Sequence, residues 1–415
     1  MAGTVKRSFS TSQLPLYAFA RVKITGFAFL VLLLGSLISR PSLAKETRSA
    51  PPPARPINQD VLRGIELLYD LEFEEAERIF SRVVSENPKI PVGYFYMAMV
   101  SWSRLSIGFW KAETLQEYVD RIDLTISVAK RRIENREADS FDYFYLGGAL
   151  GFKGRFELMR HNWFSSYLLA YDAIEALQTC QKMDPSNVDV LLGLGIYDYY
   201  TAKLSGVVKF LTYLFLYRGD KDEGLRKLKT AADQAVYSSI ESKSMLLHIY
   251  LFMEEDYNQA LPFARELGEK FKKNPRYKYL EGIVYIRGNQ DAEYTDVLNS
   301  IRAESRRQES KTKAQMWANQ ALYLEASYHL FRNQPEQARA KLDAILAQVD
   351  PVADPAMVAW PLLKRGMSYD LEGKRDKALE IYRSILAMEN GAGAQFLAEK
   401  GIDETIKKGD PFLGY

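Results

Sequence analysis

GMSYDLEGKRDKALEIYRSI, residues 366–385, decides the fold. Gly366 is followed by Ala378 twelve residues on and by Tyr382 sixteen on, with Gly373 placed between two helix-length segments. Ala378, Tyr382 and Ile385 recur at helical spacing and so line one face of the second segment. Glycine or alanine at the contact lets two helix backbones approach closely, a bulky ring fills the next layer, and Gly373 serves the turn. The stretch therefore reads as two helices packed back to back.

The same offsets appear at the other end of the chain, in Gly64, Ala76 and Phe80, with Pro88 closing the second helix. They recur in Tyr143, Leu146 and Gly147 with Ala173, Leu177, Cys180 and Pro185, and in Leu191, Leu194 and Gly195 with Gly224, Leu228 and Ala231. Looser copies are anchored by Ala260 with His248, by Gly282, Tyr285, Leu298 and Ile301, and by Ala338, Leu342 and Ile345. A weak copy occupies 91–138. Together these make seven or eight units over residues 57–408, one all-α solenoid of stacked helix pairs.

This pattern resembles the tetratricopeptide repeat family. The resemblance implies a concave surface lined by the first helix of each pair, on which partner peptides or helices lie. A finer likeness lies in the glycine-rich stretch 147–155, in 195–200 and in 218–225. They look like the inserted segments of the eukaryotic inclusion-body-clearance tetratricopeptide proteins and of bacterial envelope relatives. That likeness implies scaffolding, clearance or lipid-droplet-like roles and no reaction.

Residues 1–44 read as an export signal. Arg21 and Lys23 precede an apolar run at 24–38, and Ser42, Leu43 and Ala44 offer small residues for cleavage after Ala44. The run is shorter than the roughly 20 residues that span a bilayer, which disfavours the alternative of a retained anchor. The absence of a nearby cysteine disfavours a lipid anchor. The segment carries five basic and no acidic side chains, so the +2 of the 415-residue chain becomes −3 without it. A nearly neutral remainder offers no electrostatic footprint for nucleic acid. The expectation is an extracytoplasmic protein of the bacterial periplasm or envelope, with a proline-rich linker at 45–56 before the solenoid. One cysteine and three histidines give neither an intrachain disulfide nor a metal-ligand set, and no cofactor is expected.

The concave face, read from the offsets, includes Phe144, Gly148, Gly151, Leu192, Ile196, Tyr199, Tyr200, Met245, Ile249 and Phe252. The competing reading makes these aromatics ordinary packing between repeats. Two insertions interrupt neighbouring units. The first, 152–168, carries Arg155, His161 and Trp163; the second, 206–217, carries Lys209, Phe210 and Tyr213 in an otherwise uncharged run. Long excursions from a scaffold are often functional, although both insertions can also extend helices. The second is too short to cross a bilayer and either folds over its own solenoid, touches a membrane surface or holds a partner.

His161 beside Trp163 has no nucleophile, metal triad or phosphate loop to accompany it. The glycines of 147–154 fit helix contacts and a turn. Cys180 falls at a small-residue packing position. The mixed charges of 302–313 read as a solvated helix end. Residues 409–415 are expected to be extended, because Pro411 opposes helix, and to cover the end of the stack or dock to another subunit.

The function expected is a non-catalytic exported scaffold holding another protein through Phe144, Arg155, His161, Trp163, Tyr199, Tyr200, Lys209, Phe210 and Tyr213. The alternative is binding of a lipid or other apolar ligand. Catalysis ranks third and needs His161, Arg155 and an acidic residue to converge in one pocket.

Overall fold

A Cβ placed on Gly366 would lie 2.5 Å from the Tyr382 ring. The two helices that carry them therefore touch where the spacing predicts. The computed structural model describes residues 59–106, 111–160, 162–203, 219–351 and 354–415. The expected export signal at 1–44 and the expected proline-rich linker at 45–56 lie outside the described residues.

Among the described residues the chain is a succession of α-helices without strands. The pairs run α1 (Gln59–Tyr69) with α2 (Phe73–Glu86), α3 (Pro91–Ser106) with α4 (Ala112–Glu134), α5 (Ser140–Met159) with α6 (Trp163–Met183), and α7 (Leu191–Lys203) with α8 (Lys221–Gln234). They continue as α9 (Ser239–His248) with α10 (Tyr257–Lys270), α11 (Pro275–Arg287) with α12 (Asp291–Arg307), α13 (Lys311–Phe331) with α14 (Pro335–Leu346), and α15 (Ala356–Leu371) with α16 (Arg375–Leu386). A final helix, α17 (Ala394–Asp403), follows. Each helix packs on its chain neighbours, so the described residues form eight pairs. None of the described helices is long and apolar enough to cross a membrane.

The turn inside the pairs repeats. Leu71, Glu255, Asn289, Asn333 and Gly373 all have positive φ, and each stands two residues before its second helix. The N–H groups of Glu72, Gln290, Gln334 and Lys374 each donate to the carbonyl five residues back, which closes the first helix with a left-handed residue. In the fifth pair the helix ends in a π turn, Ile249–Met253, and the corresponding bond reaches one residue further, from Asp256 to Tyr250. Gly373 is the one glycine among these five positions; Asn289 and Asn333 also tolerate the left-handed conformation, whereas Leu71 and Glu255 carry no sequence mark.

The contact between α7 and α8 is backbone on backbone. A Cβ on Gly224 would meet Tyr199 N at 2.6 Å and Gly195 O at 2.9 Å. The first insertion makes no loop: α5 runs on to Met159, α6 begins at Trp163, and Gly147 to Gly154 all lie within α5. The expected turn there is replaced by helix contacts, Gly148 against Phe95 and Gly154 against Leu169. The second insertion lies outside the described residues. Its flanks converge, because Lys203 and Lys221 both pair with Glu254, at 2.6 and 2.7 Å. The 302–313 stretch is a helix end and connection as expected, with Arg302 paired to Glu325 at 2.9 Å.

The first pair also touches distant pairs. The Tyr69 hydroxyl donates to Glu241 at 2.6 Å, Asp70 accepts from the Lys273 N–H at 2.9 Å, and Asn274 donates to the Tyr69 carbonyl at 2.9 Å. Glu66 pairs with Lys270, Glu72 pairs with Lys273 and Lys313, and the Tyr69 ring lies 5.7 Å from Phe271. One hydrophobic core spans the fourth to eighth pairs, from Tyr199, Leu228 and Ala232 onward, and a small separate cluster joins Ala129, Leu146, Leu150, Ala173 and Ala176. Another fills the first three pairs, takes in Leu194 and Tyr197 of α7, and reaches Ala356 and Ala392 near the far end.

Candidate polypeptide-binding face

The first helices of pairs five to eight carry polar donors deep in an apolar setting. Lys364, on α15, is 1% exposed. Its Nζ lies 2.6 Å from Ser327 Oγ and 3.3 Å from the Tyr279 hydroxyl, and 4.5 Å from the centre of the Tyr323 ring. Among the described residues no carboxylate pairs with it, and burial pushes its amine well below the usual lysine range. Ser327 and Tyr279 are themselves buried. Burial likewise raises the Tyr279 hydroxyl well above the usual tyrosine range.

Residues 409–415 satisfy these groups. Lys364 donates to the Leu413 carbonyl at 2.6 Å, Tyr279 to the Gly414 carbonyl at 2.6 Å, and Arg287 to the Gly409 carbonyl at 2.7 Å. The segment is not extended. Pro411–Gly414 forms a 3₁₀ turn whose start is capped by Asp410, which accepts from Phe412 N at 2.9 Å. Proline presets the first φ of such a turn and lacks the N–H that would go unpaired. Nor does the segment cap the stack. It lies on α11, α13 and α15 and on the π turn, where the Tyr415 ring stacks on Trp360 at 5.7 Å and meets Phe252 at 5.0 Å. After the last pair comes α17 instead, whose Gly401 sits against Tyr382.

The side chains singled out in the sequence fall into three groups. Phe144 and Tyr199 are buried. Phe144 packs on Phe141 and Tyr145, and Tyr199 donates to Glu254 at 2.6 Å, so both belong to the packing between helices and neither offers free surface. Tyr200 and Arg155 are exposed; Arg155 lies over the Trp102 ring at 5.3 Å, and Tyr200 lies within electrostatic reach of Arg155 and Tyr415. His161, the side chain of Trp163, Lys209, Phe210 and Tyr213 lie outside the described residues.

Two groups of chemical interest are inert by construction. Burial, then the charge of Arg276, hold His248 down at about 3. Its Nε2 accepts from Arg276 at 3.0 Å, which leaves Nδ1–H to donate to the Ser244 carbonyl at 2.7 Å. Burial pushes the Cys180 thiol up to about 12, and Asn187 reaches its sulfur at 3.5 Å.

Lys364, Tyr279, Ser327, Trp360 and Arg287 are absent from the sequence-derived face. The available signal was Lys364 itself, a charge two residues before the small contact residue Gly366 and directly after Pro361, Leu362 and Leu363.

No protein-family model matches this chain, and no curated protein matches it. Among solved structures it is similar to a chain of the "Structure of Naa15/Naa10 bound to HypK-THB", with 14% identity and a TM-score of 0.22. The likeness covers 87% of this chain and 65% of that one.

Proposed function

We propose that this solenoid is an exported, non-catalytic scaffold of tetratricopeptide type that binds another polypeptide on the face built by its first helices. One observation carries the reading: that face already holds a short peptide segment, 409–415, through side-chain donors aimed at backbone carbonyls and an aromatic slot for Tyr415. Peptide recognition uses these elements, main-chain hydrogen bonds for affinity and pockets for selectivity. Exposed Tyr200 and Arg155 extend the face toward the earlier pairs. Export rests on the leader at 1–44, and the periplasm or envelope is the proposed location.

A photo-crosslinking side chain placed at Tyr200 in the full chain tests this in cells, with exposed Glu380 on α16 as control. A discrete protein adduct at 200 but not at 380, recovered in the envelope fraction, is the expected result. Equal adduct patterns at both sites overturn the site, and recovery only in the cytosol overturns export.

A second reading, contact with lipid or another apolar ligand, is favoured by α6. Phe164, Leu168 and Tyr171 stand along one side of it at 75%, 47% and 41% exposure, spaced four and three residues apart. Native mass spectrometry of extracted protein distinguishes the two. Stoichiometric lipid lost in Phe164→Ser, Leu168→Ser supports the second reading, and lipid-free protein removes it.

A further inference from the structure

We infer that residues 409–415 are a displaceable latch, and that the groove they fill takes a segment of another protein with the same chemistry. That segment is an Asp-Pro turn followed by aromatic, aliphatic, glycine and aromatic residues. The inference rests on the scaffold reading above and specifies its ligand.

The groove recognises backbone and shape together. Its donors, Arg287, Lys364 and Tyr279, all bind main-chain carbonyls, which any peptide possesses. Selectivity comes from what surrounds them. Leu413 is fully enclosed. A Cβ at Gly414 would lie 2.8 Å from Ile283 and 3.2 Å from Phe331, so any side chain at the position next to the aliphatic residue must push these neighbours aside, which favours glycine. The following aromatic enters between Trp360 and Phe252.

The segment is also organised to leave as a unit. Its turn is capped internally by Asp410, and Gly409 has a φ of +83°, a conformation that offers a hinge. Upstream, Ile406 N donates to the buried Asp370 at 3.2 Å, which keeps the chain anchored on the α15–α16 pair when the turn departs. Departure without replacement strands Lys364 and Tyr279 with lost acceptors, and buried unpaired donors are costly. The latch therefore rests mostly closed, and a partner holds it open by exchanging one set of carbonyls for another.

A tethered segment acts at a high effective concentration, so a free competitor must bring contacts that the tether lacks. A second copy of the tail brings none. A partner protein can add Tyr200 and Arg155, which stand exposed beyond Tyr415. The occupant is accordingly a different polypeptide.

The test uses the full chain with Gly414→Val, which unseats the turn, and a fluorescent peptide of the sequence 407–415. Apparent affinity scales with the fraction of open groove, so anisotropy is expected to show binding at least about tenfold tighter than to wild type. Adding Lys364→Met to that variant should weaken it again by about tenfold, the loss of one hydrogen bond. Hydrogen exchange on wild type is the independent check, needing no variant: the Leu413 and Tyr415 amides should exchange well ahead of those around Ser327 on α13. A folded Gly414→Val variant that binds no better than wild type, or tail amides that open only with global unfolding, overturns the latch. If Tyr200 still captures a protein in that case, the scaffold reading stands and the latch alone falls. A mass that doubles with concentration in wild type but stays monomeric in Gly414→Val assigns the groove to a swapped tail and overturns the partner assignment.

Discussion

The Tyr199 hydroxyl donates to the Glu254 carboxylate at 2.6 Å, joining the end of α7 to the turn between α9 and α10. Lys203 and Lys221 reach the same carboxylate from either side of the second insertion. Burial works to raise that carboxyl, but hydrogen bonds from Lys203, Lys221 and Tyr199 outweigh it and hold the group at about 2. Tyr199 is thus a structural fastener, whereas its neighbour Tyr200 remains partly open at 38% exposure.

Separate substitution of the two tyrosines should expose that difference. Tyr199→Phe keeps the ring and loses one hydrogen bond to a charged group, costing about 1.5–3 kcal/mol. Tyr199→Ala removes a fully buried ring and should cost roughly 3–5 kcal/mol. Tyr200→Ala is expected to change stability by less than about 1 kcal/mol while reducing crosslinking along the face. Urea unfolding of the three variants checks the order, and a Tyr200→Ala cost equal to that of Tyr199→Ala would refute the assignment.

Gly195→Leu should destabilise the protein by more than about 2 kcal/mol. A Cβ there would stand 2.9 Å from Leu228 Cγ and 3.0 Å from the Gly224 carbonyl, and the second obstacle is backbone that cannot rotate away. The readout is the thermal or urea midpoint, with a loss below about 0.5 kcal/mol showing that the helices can separate freely.

His248 sets a pH dependence. Its folded value of about 3 lies below the ordinary 6.5, so the unfolded chain binds the extra proton between those limits. Stability contributed by the neutral ring is complete above about pH 6.5 and declines as pH falls toward 3, by up to about 1.4 kcal/mol per pH unit. His248→Gln should flatten that part of the stability profile. An unchanged slope in the variant would assign the acid sensitivity to other groups.

Cys180 should resist alkylation at pH 8 until the protein unfolds, because the thiol is both enclosed and held protonated. Mass spectrometry after a timed pulse of iodoacetamide measures this. Labelling in the absence of denaturant, at a rate near that of a free thiol, contradicts the buried assignment.

The helix pairs were legible because their contacts demand small residues at fixed offsets: Gly64, Gly147, Gly195 and Gly366 each stand where a side chain of the paired helix leaves no room for a Cβ, while Gly282 faces Leu324 of the following pair. Of the turns between them only Gly373 was read, although Asn289 and Asn333 also favour the left-handed conformation; Leu71 and Glu255 reach it with side chains that give no such signal. At Leu71 and Glu255 tertiary closure overrides local preference. The first insertion was legible as added length but not as two longer helices, because the glycines of 147–154 read equally as contacts or as a turn. The candidate face was legible in part. An offset rule points to the side of a helix, which gave Tyr200, but it does not separate an open tyrosine from a buried one, as Tyr199 shows; Arg155 came from the first insertion. The groove around Lys364 depends on a segment that arrives from far along the chain. Tyr279 and Gly414 are 135 residues apart, beyond the reach of any local pattern.

A stack in which every pair touches only the next can fray from either end, losing one repeat at a time. The contacts of Tyr69, Asp70 and Glu72 remove that freedom. Asp70 and Lys273 are separated by 203 residues, so the first pair cannot peel away without also breaking its hold on the fifth to seventh. Melting should then proceed as a single all-or-none event in place of a staircase. Assembly bears the opposite consequence: a closure spanning half the chain forms late, and the protein should fold slowly for an all-helical one.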